Sequence, residues 1–352
     1  MRVLVAMSGG VDSSVAAALM LEQGHEVVGA TMKLWGGPSD SGCCSVADVE
    51  DARRVCQQLG VDHHVFNFTS EFERQVVAPY VAAHGEARTP NPCIACNAHL
   101  KFDRFLQRAV QLGFDAISTG HHARVARTVG PWELRRGRDG AKDQSYVLYM
   151  LGQAELARLY LPIGELTKGE VRALAAAHGL RTAAKPDSQD VCFISRVGGR
   201  ESFLSQRIPV REGRLVARDG EELGTVDALE LVTVGQRRGL GLITRSRPER
   251  RYILDVDLPS RTATVGTLDE LLVDRVEVEH LSWCAGPVGA GTAVQAQFSA
   301  HGAPVPARWE DDDRSGAVAL ARPVRRVAPG QAVVLYRQGT DGDAVLGGGT
   351  AR

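Results

Sequence analysis

The chain has 352 residues, 44% of them apolar and 24% charged, with a net charge of −1. That length suits two or three domains with sizeable cores, and the near-zero charge excludes global attraction to nucleic acid, leaving local basic patches as the only electrostatic route to it. No stretch of roughly 18 successive apolar residues occurs, so no membrane-spanning helix is expected.

Val3-Leu4-Val5-Ala6-Met7 reads as a first strand. It is too short for a signal peptide, which points to a cytoplasmic protein. Ser8-Gly9-Gly10-Val11-Asp12-Ser13-Ser14 follows, and Val15 to Gln23 reads as a helix. Two glycines at a strand-to-helix turn let backbone N–H groups approach a ligand closely. The helix start adds unpaired donors and partial positive charge, which suit phosphate. Ser8, Ser13 and Ser14 offer hydroxyls, and Asp12 is a candidate magnesium ligand or helix cap. No lysine follows the glycines, so the loop is not the Walker type. It looks like the pyrophosphate loop of enzymes that cleave ATP to AMP and pyrophosphate while adenylating a substrate. The plainer reading is a serine-rich helix cap.

Alternating strand and helix signals continue. His25 to Met32 and Val61 to Phe68 read as strands. Between them a helix, capped by Ser45, carries Val49, Ala52, Cys56 and Leu59 at helical spacing and ends at Gly60. Helices are expected around Ser70–His84 and Asn97–Leu112, and a strand over Phe114–Thr119. Thr167-Lys168-Gly169-Glu170 is a capping-box pattern for a helix reaching His178. This alternation predicts an open parallel sheet with ligands at the carboxyl ends of its strands. Beyond about residue 200, short strand-like runs replace it: Tyr252–Val256, Thr262–Val265, Ala293–Phe298 and Ala332–Tyr336. The expected domains are 1–200, 201–268 and 269–352.

Seven cysteines (43, 44, 56, 93, 96, 192 and 284) are an odd number in a chain without secretory features, so a disulfide framework explains them poorly. In Arg88-Thr89-Pro90-Asn91-Pro92-Cys93-Ile94-Ala95-Cys96-Asn97 two prolines impose an extended approach to a helix expected near Asn97. A thiol at such a helix start is expected to have a lowered pKa and to be reactive. The Cys93/Cys96 spacing also suits metal or redox chemistry, and packing remains open. Asp187-Ser188-Gln189-Asp190 leads to Cys192, which by itself reads as a buried strand residue.

Taken in order, these stretches resemble the tRNA-specific 2-thiouridylase family. The resemblance includes Ala6 to Ser14, Met32-Lys33-Leu34-Trp35, Thr89-Pro90-Asn91-Pro92, Cys96-Asn97, Lys101-Phe102 and Thr119-Gly120-His121. It continues through Lys142-Asp143-Gln144-Ser145-Tyr146, Asp187 to Asp190, Cys192-Phe193-Ile194, Gly235 to Leu240 and Pro329-Gly330-Gln331. It implies an adenine-nucleotide hydrolase type of α/β domain followed by two small β-rich domains, the last barrel-like. It implies ATP, with magnesium, on Ala6, Met7, Ser8, Gly9, Gly10, Val11, Asp12, Ser13, Met32 and Gly120. Cys96 would be the nucleophile and Cys192 the persulfide carrier. Asn91, Pro92 and Cys93 would lie against the target base, and His121, Lys142, Asp143, Gln144 and Gln331 would contact tRNA. The sulfur would come from a donor such as a cysteine desulfurase or sulfur-relay protein.

Basic residues cluster at Arg124, Arg127, Arg135, Arg136, Arg138 and Lys142, at Arg245, Arg247, Arg250 and Arg251, and at Arg322, Arg325 and Arg326. Each is either an RNA contact or a solvated surface. Asp311-Asp312-Asp313 reads as an exposed turn. Many relatives carry an acid where this chain has Cys93. That departure keeps open an iron–sulfur cluster on Cys93, Cys96 and Cys192, although a cluster-free reaction is the main reading. His122 stands where a tyrosine is common, and Gln297-Phe298-Ser299 replaces an arginine- and tyrosine-bearing segment. Two further alternatives are another adenylating ligase and a non-catalytic RNA- or metal-binding protein.

Overall fold

The computed structural model describes residues 1–35, 46–127, 129–187, 191–194, 199–242, 250–312 and 315–352. Cys43, Cys44, Ser45, Ser188, Gln189, Asp190, Arg245, Arg247 and Asp313 lie outside the described residues.

The first sheet contains β1 (Arg2–Ala6), β2 (Glu26–Lys33), β3 (His63–Asn67), β4 (Ala116–Ser118) and β7 (Leu159–Tyr160). Its order is β3-β2-β1-β4-β7, with every pairing parallel. Buried strands of this kind need apolar side chains on both faces, and Val3, Leu4 and Val5 are fully buried. Helix α1 (Val11–Glu22) packs its Val15, Ala16, Ala17 and Met20 with Val3 and Val5, and α2 (Val46–Leu59) adds Ala52, Val55 and Cys56 to the same cluster. The sheet order reverses direction between β1 and β4. The crevice at their carboxyl ends is therefore the expected ligand position.

The second sheet orders as β10-β9-β8-β12-β11. Its strands are β8 (Gly213–Val216), β9 (Glu222–Val226), β10 (Gly241–Leu242), β11 (Tyr252–Asp257) and β12 (Thr262–Gly266). A short helix, Leu268–Leu271, then starts on a Thr267/Glu270 capping box. The last domain contains β13 (Leu272–Trp283), β14 (Ala293–Gln297), β15 (Val305–Asp312), β16 (Ser315–Arg325), β17 (Ala332–Arg337) and β18 (Ala344–Ala351). They run β13-β16-β15-β14-β17-β18, and a β13–β18 pairing closes the barrel. Closure leaves no unpaired edge. Asp311 and Asp312 end β15 and pair with Gly316 and Ser315 across a hairpin. They are therefore strand residues, not the turn that their charge suggested.

One hairpin crosses the expected domain boundary. β5 (Ala123–Arg127) and β6 (Trp132–Arg136) follow β4 directly in sequence, yet β6 pairs with β18 through Arg135 and Ala344. The Arg136 N–H also donates to the Asp343 carbonyl at 3.0 Å. The α/β domain thus contributes two strands to the barrel sheet.

Among the described residues no helix is long and apolar enough to cross a membrane.

Candidate active site

The loop after β1 is built for an anion. Gly9 has φ +71°, a conformation that favours glycine, and a Cβ there would meet the Asp48 carbonyl. Gly10 is the N-cap of α1, and no side chain caps the helix. The first N–H groups of α1 are thus left without the usual capping oxygen. Ser13 Oγ donates to the Gly10 carbonyl at 3.1 Å and accepts from the Ser8 N–H at 3.2 Å; Ser14 Oγ donates to the same carbonyl at 2.8 Å. These hydroxyls hold the turn's shape. Gly120, just past β4, approaches so closely that a Cβ would lie 2.6 Å from the Ser13 nitrogen and 2.7 Å from the Asp12 carbonyl carbon. Met32, on β2, is buried in the same core cluster as Ala6, and Met7 lies in the cluster beneath α1. The cradle fits a nucleotide polyphosphate.

Asp12 does not cap α1. Its carboxylate accepts from Lys168 Nζ at 2.7 and 2.8 Å and from His122 Nε2 at 3.3 Å. Burial raises its pKa, but the bonds from His122 and Lys168 outweigh that and hold it below the ordinary value. Lys168 Nζ also reaches Asp187 Oδ1 at 2.9 Å. Asp187 takes Lys142 Nζ at 2.9 Å and Arg172 at 2.7 Å as well. Burial alone would raise the Asp187 pKa, yet its cationic partners bring it down to about 2.

The cysteine segment departs from expectation in two ways. The helix begins at Pro92, not near Asn97, because Pro92 suits the first helical position and the Asn91 side chain accepts from the Cys93 N–H at 3.0 Å. Cys93 therefore sits in the first turn and Cys96 a turn later. Cys96 then opens a stretch of wide, π-type turns, Cys96–Arg104, which continues as Phe105–Gln111. Cys96 is 9% exposed, and burial pushes its thiol up to about 12 instead of down. Desolvation outweighs the helix start at this position. Lys101 opposes the rise at both Cys96 and Cys93.

Cys192 lies in a half-buried turn, not a strand. It is near enough to Cys93 and Cys96 that its charge would raise both their pKa values. None of the three thiols is in a disulfide. Phe193 anchors the turn against Trp35, Phe72, Tyr80 and Phe203, with ring centroids 5.2–6.2 Å away. Among the described residues, no group of three or more His, Cys, Asp or Glu side chains is arranged to hold a metal ion. Cys56 and Cys284 are buried packing residues whose thiols burial raises to about 11 and about 12.

The remaining expected site residues are held by hydrogen bonds and packing within the chain. His121 is buried, shares a 2.7 Å hydrogen bond with Thr119 Oγ1 and packs on Phe102 at 5.6 Å. Burial, with Lys101 nearby, keeps its pKa well below the usual histidine value. Gln144 Oε1 accepts from the His122 N–H at 2.9 Å. Asp143 accepts from Arg136, the Gly137 N–H and Ser145. Gln331 donates to the Thr89 carbonyl, and the Thr89 N–H donates to the Pro329 carbonyl at 2.8 Å. The barrel's Pro329-Gly330-Gln331 turn thus grips the approach to Asn91, Pro92 and Cys93.

Most of the first arginine cluster is engaged by partners within this chain. Arg124 and Arg135 bind Asp341 at 3.0 and 2.8 Å. Arg136 binds Asp143 at 2.8 Å and Asp343 at 3.3 Å, donates to Gln297 Oε1 at 2.7 Å and lies 3.7 Å over the Tyr336 ring. Gln297 is thereby a barrel residue that holds the hairpin. Arg138 pairs with Glu170 at 3.4 Å, and Arg127 lies over Trp132. In the third cluster, Arg326 bonds the Leu254 carbonyl and Arg325 lies over Tyr252. Sequence reading gave no site role to Lys168 or Lys101, which the structure places on Asp12 and near Cys96, and it left His122, which reaches Asp12, without an interpretation of its departure from tyrosine. Only Lys168, at the start of a capping-box helix, carried a local signal, and that signal concerned the helix.

A parallel sheet with a phosphate-ready loop after its first strand defines a nucleotide-binding α/β protein of the HUP class. Residues 1–196 match the family profile described as the tRNA methyl transferase HUP domain, 201–267 its PRC-barrel domain, and 273–351 an aminomethyltransferase beta-barrel domain. The chain belongs to the tRNA-specific 2-thiouridylase family. Proteins named tRNA-specific 2-thiouridylase MnmA are 44% identical in Corynebacterium kroppenstedtii, over 99% of this chain and 94% of that protein. In Mycobacteroides abscessus the figures are 45%, 99% and 98%, and in Acidothermus cellulolyticus 46%, 96% and 94%.

Proposed function

We propose that the protein is a cytoplasmic enzyme that uses ATP to replace the C2 oxygen of the tRNA wobble uridine by sulfur. What supports this reading is the grouping of Cys96, Cys192 and Cys93 beside a helix whose Phe102 packs on His121, next to the Gly120 that closes on the nucleotide loop.

Ala6 to Ser13, Met32 and Gly120 bind ATP, and Asp12 is the loop carboxylate for its magnesium. The uridine C2 oxygen attacks the α-phosphorus, a P–O bond breaks and pyrophosphate leaves. The oxygen, now esterified as AMP, becomes a good leaving group. The terminal sulfur of a persulfide on Cys192, supplied by a desulfurase or sulfur-relay protein, attacks C2. The Cys96 thiolate then attacks Cys192 Sγ, breaking the S–S bond; the sulfur stays on C2 and AMP departs. A Cys96–Cys192 disulfide remains, and a dithiol reductant supplies two electrons and two protons to reopen it. Asn91, Pro92 and Cys93 flank the base, with His121, Lys142, Asp143, Gln144 and Gln331 on the tRNA side. A cluster-dependent route would instead use all three thiols as iron ligands.

The test incubates purified protein with ATP, a persulfide donor and unmodified tRNA and measures 2-thiouridine by mass spectrometry. C96S and C192S should each abolish product, whereas C93D should retain most activity. Normal product from either serine variant overturns the assigned roles; loss of bound iron together with activity in C93D favours the cluster route.

A further inference from the structure

The nucleotide loop contains no lysine, yet its one acidic side chain is clasped by a lysine 156 positions away. We propose that Lys168 is a phosphate-binding residue of the nucleotide site. Asp12 and Asp187 hold its ammonium ready, and it transfers to the outer phosphates of ATP and then to the pyrophosphate that leaves. This rests on the adenylation reading above.

Electrostatics favours such a cation beside the magnesium that Asp12 would hold. Asp12 sits in the first turn of α1, beside the uncapped N–H groups that would receive the polyphosphate. Two anions side by side repel strongly unless positive charge lies between them. Lys168 Nζ already contacts both Asp12 oxygens, at 2.7 and 2.8 Å.

The placement of Lys168 is not what its own helix favours. It is the first residue of the Lys168–Ala177 helix, where the helix dipole opposes a cation. Its backbone is fixed there: the Lys168 N–H donates to Asp139 Oδ2 at 2.9 Å, and Thr167 and Glu170 close the capping box. The side chain is only 13% exposed. A fixed backbone and a shielded ammonium hold the side chain at the nucleotide loop, on Asp12 and Asp187.

Neither carboxylate is stranded when the ammonium moves. Asp12 keeps the His122 Nε2–H, and Asp187 keeps Lys142 and Arg172. Lys185, the other lysine at the loop, differs. It donates to the Gly9 carbonyl and to Asp48 and Asp51 of α2, at 2.8–2.9 Å, and so braces the loop. Lys168 also links the nucleotide loop to Asp187, which stands five positions before Cys192 in sequence.

Calorimetric titration of the full chain with ATP, AMP and inorganic pyrophosphate tests this. Loss of one charge-assisted bond predicts that K168Q weakens ATP and pyrophosphate roughly tenfold or more. AMP, which lacks the outer phosphates, should stay within about twofold of wild type, and K168R should recover part of the ATP affinity. If K168Q folds poorly, D12N is compared with D12N/K168Q, in which Asp12 carries no charge to strand. Unchanged ATP affinity in either comparison overturns the proposal, as does equal weakening of ATP and AMP, which marks a purely structural ion pair. A wild-type protein that binds neither ATP nor pyrophosphate overturns the adenylation reading itself.

Discussion

At the scale of single residues, solvation and close approach decide what each group can do. Gly120 is the clearest case of close approach. An alanine there would press its methyl against the backbone at Ser13 and Asp12, which cannot swing aside as a side chain can. G120A is expected to cost about 1–3 kcal/mol in stability and to remove ATP binding; urea titration and calorimetry read both. Cys96 is the clearest case of solvation. Burial pushes its thiol up to about 12, and the local cation opposes that rise. Lys101 lies five positions along the widened helix, where i→i+5 spacing brings side chains onto one face. Its charge lowers the Cys96 pKa. K101Q should therefore slow alkylation of Cys96 at pH 8–9, measured by mass spectrometry of the trapped peptide; an unchanged rate removes Lys101 from this role. Of this, the nucleotide loop and the cysteine pair were legible in sequence, because both are contiguous motifs. The sign of the Cys96 shift was not, because Cys96 is buried in a core cluster assembled from distant segments, Phe72, Tyr80 and Phe102 among them.

At the scale of elements, local signals were reliable where the interaction itself is local. The Thr167/Glu170 capping box is formed as the sequence predicts, with Glu170 Oε2 accepting from the Thr167 N–H at 2.7 Å. T167A should cost about 1 kcal/mol. Through Lys168, the same change should also weaken ATP binding. The helix after Pro90 began earlier than expected because Asn91 and Pro92 together make a good start. Asp187 gathers Lys142, Lys168 and Arg172, and its effect depends on pH. Its folded pKa, about 2, lies below the ordinary 3.8. The stability it contributes is complete above pH 4 and is lost as pH falls through 2. D187N should flatten that part of the acid limb of a urea-midpoint profile between pH 5 and 2. A limb as steep as wild type shows that the cationic partners do not set this titration.

At the scale of the whole molecule, the Ala123–Arg136 hairpin decides how the α/β domain and the barrel act together. Its arginines looked like an RNA-binding patch, but Asp143, Asp343 and Gln297 engage Arg136 in partly buried bonds, and the exposed Asp341 pairs with Arg124 and Arg135. Arg136 is the centre of this junction, with its partner Asp143 only 6% exposed. Removing one member of such a buried pair typically costs about 3–5 kcal/mol. R136A should split thermal unfolding into two calorimetric transitions, with the barrel separating from the α/β domain. One transition at the wild-type midpoint shows that the hairpin does not couple them. The barrel also holds Thr89 through Pro329 and Gln331, and so fixes the segment that leads into Asn91, Pro92 and Cys93.

The sequence by itself determined the class of fold, the anion-binding turn, the helix that Thr167 starts and the two distant cysteine motifs. Each of these is written in neighbouring residues whose interactions span a few positions. Tertiary structure alone decided that Lys168 sits on Asp12, that Cys96 is buried and its thiol raised, and that an arginine hairpin belongs to the barrel. Those outcomes depend on charge and solvation between residues up to 217 positions apart, and no local pattern records which partners the folded chain brings together.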